Sequence, residues 1–103
     1  MSELLTEKTE SIVILDTPVQ RGATSIREVV LRKPQSGALR GLRLQAVMEM
    51  DVASMMTIIP RISSPELTPQ EMAELDPADL ASMSLEVVLF LLPKSATSAF
   101  QPG

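Results

Sequence analysis

GALRGLRLQAVMEMDVASMMTIIPRISSPELTPQEMAELDPADLASMSLEVVLFLL, residues 37–92, decides how this chain folds. Its sharpest local signal is Thr68-Pro69-Gln70-Glu71. Thr68 can accept from a first-turn N–H, Pro69 suits the first helical position, and Glu71 can reach back to the Thr68 N–H as a capping box. A helix over residues 69–75 is predicted. Asp76-Pro77-Ala78-Asp79 repeats the device, with Asp76 as cap and Asp79 near the positive helix end, and starts a longer helix that runs to about residue 92, just before Pro93. Earlier in the stretch, Val52, Met55, Met56 and Ile59 stand at i, i+3, i+4 and i+7 and so share one helical face behind an Asp51 N-cap. Leu44, Val47 and Met48 form a similar face on a shorter helix before it. Pro60 has no N–H and fits only near a helix end or at a kink.

Outward from this stretch, Gln35-Ser36-Gly37 marks a change of period. Residues 11–15 are a short β-branched and aliphatic run that stops at Asp16-Thr17-Pro18, and residues 26–33 are rich in Val and Leu with charges interleaved and end at Pro34. These read as a β-hairpin, joined through Arg21-Gly22 by a loop longer than the tight two-residue type. Residues 1–10 are expected to be a flexible N-terminus, residues 11–93 a single domain, and residues 94–103, small and polar, a disordered tail. The predicted class is α+β: a small N-terminal hairpin followed by three or four short helices, mainly helical.

Composition narrows the function. The 103 residues contain no cysteine, histidine, tryptophan or tyrosine, which removes disulfides, thiolate nucleophiles, imidazole bases and most transition-metal ligand sets. There is no Gly-rich phosphate loop and no calcium-binding acidic loop, so neither a catalytic residue nor a cofactor or metal is assigned. The longest apolar run, residues 87–92, is far too short to span a bilayer, and a soluble cytoplasmic protein is the default expectation. Net charge is −4, divided into +5 over residues 21–43 and −7 over residues 44–93. Such polarity suits either two solvated faces or docking onto a charged partner. Nucleic-acid recognition is disfavoured, because the best helix pair is acidic and stacking aromatics are missing.

Contact surfaces are the remaining candidates. Met48, Met50, Met55 and Met56 fall close together, with Met72 and Met83 on the later helices. Methionine at helical spacing either fills a core or presents a surface that repacks around varied apolar helices. Residues 87–92 are apolar around the whole helix, and that excess is covered either by the core or by an oligomer or partner interface. The candidate partner-binding set is Val52, Met55, Met56, Ile59, Met83, Val87, Phe90 and Leu91. Asp51, Thr68, Glu71 and Asp76 are assigned as structural caps, and Arg61 as a helix C-terminal cap or the partner of a nearby acid.

The order of these elements also carries a resemblance. A hairpin ending in Leu31-Arg32-Lys33-Pro34 leads to Gly37-Ala38-Leu39-Arg40-Gly41-Leu42, an Asp-initiated apolar helix, Ile59-Pro60-Arg61-Ile62-Ser63, Leu67-Thr68 and Leu75-Asp76-Pro77-Ala78-Asp79-Leu80. Over residues 11–93 this is similar to the tail assembly chaperone family of Mu-like contractile-tailed phages and prophages. The resemblance implies a non-catalytic protein of the bacterial host cytoplasm, absent from the mature virion, that binds the long helical tape measure protein before the tail tube polymerises around it. It also implies a programmed frameshift that yields an extended form, the extension engaging the tape measure or the tube subunits; self-association is a further expectation. The alternatives are a minor structural tail component and a small nucleic-acid-binding phage regulator.

Overall fold

In the computed structural model, residues 9–93 are described. The expectations for residues 1–8 and 94–103 fall outside them. Two long strands open the fold: β1 (Glu10–Arg21) pairs antiparallel with β2 (Thr24–Arg32), from Glu10 opposite Arg32 to Arg21 opposite Thr24. The turn is therefore Gly22-Ala23 alone, shorter than the sequence suggested. Gly22 has φ of +61° and Ala23 has no positive φ, the pattern of a type II′ turn, which matches the right-handed twist of the flanking strands.

Asp16-Thr17-Pro18 does not end β1. The strand continues, but its register breaks between Ile14, opposite Glu28, and Val19, opposite Ile26, so that residues 15–18 face only Arg27. The turn-forming residues make an irregularity inside the strand, because the hydrophobic positions on both sides still need the inner face. Ser11, Val13 and Leu15 of β1 and Ile26, Val29 and Leu31 of β2 point inward.

After a 3₁₀ turn (Ser36–Leu39), four α-helices follow among the described residues: α1 (Leu44–Met48), α2 (Val52–Ile62), α3 (Pro69–Ala73) and α4 (Pro77–Leu91). A two-residue strand, β3 (Ser63–Ser64), lies between α2 and α3 and pairs antiparallel with Val30 and Leu31. The predicted hairpin is thus a three-stranded sheet ordered β1-β2-β3, and the α+β class holds. β3 carries no periodic signal, since Ser63-Ser64 is too short for alternation to be read.

Caps set the helix boundaries. Asp51 accepts from the Ser54 N–H at 3.0 Å, Asp76 accepts from Ala78 N–H at 2.8 Å, and Thr68 and Glu71 complete the reciprocal capping box. Pro60 sits in the last turn of α2, so its missing N–H removes one i→i−4 bond near the helix end rather than at its centre. Between α1 and α2, Met50 N–H reaches Val47 O and Asp51 N–H reaches Ala46 O, both at 3.0 Å, which is a Schellman closure. Met50 takes the left-handed position there, φ 59°, where glycine is usual. Asp51 ends one helix and caps the next, so the chain turns with no intervening loop.

One core joins all layers. Val13, Leu15, Val29 and Leu31 from the sheet meet Val47, Met55, Ile58, Ile59, Ile62, Met72, Met83, Val87 and Phe90 from the helices. α4 lies against β1 and β2 and also touches α1 and α2, so the longest helix spans the inner side of the fold.

Candidate functional site

The eight candidate contact residues separate into two groups. Met55, Ile59, Met83 and Val87 have no solvent exposure and Phe90 has almost none, so these five belong to the shared core. Val52 is 55% exposed, and Met56 and Leu91 are half-buried. On α2 the buried face is Met55, Ile58, Ile59 and Ile62, rotated about one position from the predicted stripe, which leaves Val52 outside. The methionines at 55, 72 and 83 fill the core, as methionine does in irregular gaps.

The exposed apolar side chains lie elsewhere. Ile12 and Ile14 stand on the outer face of β1, with Val30 opposite Ile12. Leu44, Met50 and Val52 are exposed along α1 and the start of α2. Leu85 and Leu89 occupy the outer face of α4, 52% and 49% exposed. The fully apolar run of residues 87–92 does leave side chains on both sides of α4, and of the candidates on this helix Met83, Val87 and Phe90 face inward while Leu91 is half-buried. Hydrophobic periodicity gives the faces of a helix and not which one meets the core.

Polar groups in the same region hold the elements together. Asp79 is buried, and its two carboxylate oxygens accept from the backbone N–H groups of Asp16 at 2.7 Å and Thr17 at 3.1 Å. Those two donors lie where the register of β1 breaks, so Asp79 supplies acceptors that β2 does not. Beside it the Thr17 hydroxyl donates to Asp76 at 2.7 Å. That hydroxyl, helped by the Ala78 N–H, lowers the Asp76 pKa below the ordinary carboxylate value. Sequence reasoning placed Asp79 only near the helix dipole; the signal that could have located its partners is the Asp16-Thr17-Pro18 interruption within a strand.

Farther along β1, the Arg21 guanidinium forks onto Glu71, with Nε 2.9 Å from Oε2 and Nη2 2.6 Å from Oε1, and it also donates to Glu66 O at 2.8 Å. The Arg21 bonds and the Thr68 N–H together pull the Glu71 pKa down to about 2. Part of the charge polarity along the chain is therefore satisfied within the molecule. Arg61 donates through Nη1 to the carbonyls of Ala38 at 2.6 Å and Arg40 at 2.9 Å. It caps the 3₁₀ turn rather than its own helix.

A recess of about 170 Å³ lies between β1 and α3, lined by Thr17, Glu71, Glu74 and Asp76 among others, and is below the ~300 Å³ of typical small-molecule sites. Among the described residues no group of three acids could hold a metal ion, and no helix is long and apolar enough to cross a membrane.

This fold and these surfaces define a small α+β domain whose outward features are apolar faces, with its polar chemistry used to tie helices to a sheet. The chain belongs to the phage tail assembly chaperone family: the family model described as phage tail assembly chaperone proteins, E, or 41 or 14 matches residues 13–92, nearly all of the described fold. It is 43% identical over 86 residues to tail assembly protein E of Escherichia phage P2, covering 84% of this chain and 94% of that relative. To tail assembly protein E' of the same phage it is 40% identical over 91 residues, covering 88% of this chain but only 64% of E'. No solved structure matches the chain. The role that defines the family is assembly, which is not a catalytic one.

Proposed function

We propose that this protein binds the tape measure protein of its phage in the host cytoplasm and holds it until the tail tube polymerises around it, and that it leaves before the virion is complete. The observation that carries the reading is the family match over residues 13–92, which takes in both the sheet and all four helices rather than one motif. A long helical client presents repeated apolar stripes when it is not yet enclosed. Separate exposed apolar side chains on a rigid core suit transient cover of such a client. Of the eight candidates, Val52, Met56 and Leu91 are the ones reachable without opening the core, and they are the first positions at which to test contact.

The greater length of E' bears on a second product. The chain spans most of E but 64% of E', so E' carries a stretch with no counterpart here. That difference supports a longer form of this protein as well, made by a shift of reading frame and sharing residues 13–92, whose extension engages the tape measure or the tube.

Mass spectrometry of purified virions tests the assembly-only role. Peptides of this chain are expected in the infected-cell lysate and absent from finished particles. Recovery in particles at a fixed ratio to the tube protein would make it a structural tail component instead.

A further inference from the structure

α4 has two apolar faces, and only one is used by the fold. Met83, Val87 and Phe90 enter the core. On the opposite side Ala78, Ser82, Leu85 and Leu89 are exposed, and Leu92 follows at the C-cap. These positions recur at alternating spacings of four and three, the seam of a two-stranded coiled coil. Neither carboxylate of the helix lies on it, because Asp79 is buried against β1 and Glu86 accepts a bond from the Ser11 hydroxyl at 2.7 Å.

We infer that this seam pairs with α4 of a second copy of the chain, antiparallel about a two-fold axis. The order of side-chain sizes carries the choice of occupant and direction. With the helices antiparallel, Ser82 meets Leu85 of the second copy and Ala78 meets Leu89, so each of the four layers within the helix sets a small residue against a large one and the axes stay evenly spaced, with Leu92 beyond the paired segment. Parallel pairing would stack Ala78 on Ala78 and Ser82 on Ser82 at one end and leucine on leucine at the other. The helices would then splay. Antiparallel alignment also opposes the two macrodipoles.

A fifteen-residue helix is about 22 Å long. A seam of that length buries less than the roughly 1,200 Å² of a standard stable interface, so the dimer is weak and concentration-dependent. Such a dimer covers its leucines when the protein is abundant and separates on dilution. This self-association is independent of which surface holds the client.

Sedimentation of the full chain from about 1 µM to about 1 mM is expected to show a reversible monomer–dimer equilibrium. Leu85→Glu, at an exposed position, is expected to weaken it at least tenfold with unchanged circular dichroism. The chain has no native cysteine, so cross-linking reads the geometry directly. Ala78→Cys and Leu89→Cys, mixed and mildly oxidised, are expected to give a mixed disulfide. Each variant alone places its two thiols about 16 Å apart along the seam, beyond disulfide reach, and stays unlinked. The inference is overturned by a chain that is monomeric throughout, including one in which Leu85→Glu abolishes tape measure capture instead. Self-linking of either single-cysteine variant as fast as the mixture overturns it too.

Discussion

Asp79 stands in for a missing strand neighbour. Its carboxylate takes the Asp16 and Thr17 N–H groups that the register break removes from β2, and it does so while buried at the start of α4. Replacing it with alanine removes two charge-assisted hydrogen bonds that tie β1 to α4, a loss of about 2–4 kcal/mol. Asp79→Ala is therefore expected to lower the melting temperature by roughly 10–20 °C. Asp79→Asn, which keeps one acceptor oxygen and turns an amide donor toward the second N–H, should fall between. Thermal unfolding checks both; an Asp79→Ala protein as stable as the parent would show that this bond pair does not hold the bulge. The acid itself was legible in Asp76-Pro77-Ala78-Asp79, and its cap neighbour was read correctly. Its partners were not, because they lie more than sixty positions away in a segment whose own residues signal a turn.

The helices show which parts of the fold a sequence exposes. Asp51, Thr68 with Glu71, and Asp76 all start the helices assigned to them, since capping is local and depends on residues within a turn. Phase and pairing are not local, and they account for the outward Val52, the inward Phe90 and the unforeseen β3. Glu71 joins the two levels: it closes the capping box of α3 and receives Arg21 from the end of β1. Its pKa is lower in the folded protein, about 2 against an ordinary 4.5, so the folded state holds fewer protons there than the unfolded one. The stabilisation is complete above the ordinary value and disappears as pH falls from about 4.5 toward about 2. Glu71→Gln is expected to lower the melting temperature by a few degrees at pH 7, a modest amount because the Arg21 side chain is 41% exposed. At pH 2 the variant and the parent should melt together. A gap that is constant from pH 7 to pH 2 would mean that the charge contributes nothing.

At the scale of the molecule, an assembly role asks for a fold that stays closed while its outer faces remain available. Five of the eight candidate contact residues proved to be what closes it, which is why a Met55 and Met56 double replacement would report on folding rather than on binding. Val52 separates the two, being exposed at the first turn of α2, where a polar replacement should change stability by no more than about 0.5 kcal/mol. The charge polarity was legible in the sequence but not its use, since Arg21 and Arg61 are engaged within the molecule. The most direct test is co-expression of the full chain with the tape measure protein of the same phage, followed by affinity recovery of this chain. The tape measure protein is expected to be soluble and recovered with it, and recovery should fall severalfold with Val52→Asp while folding is unchanged. A tape measure protein whose solubility is the same without the chain, and which does not come down with it, would contradict the account.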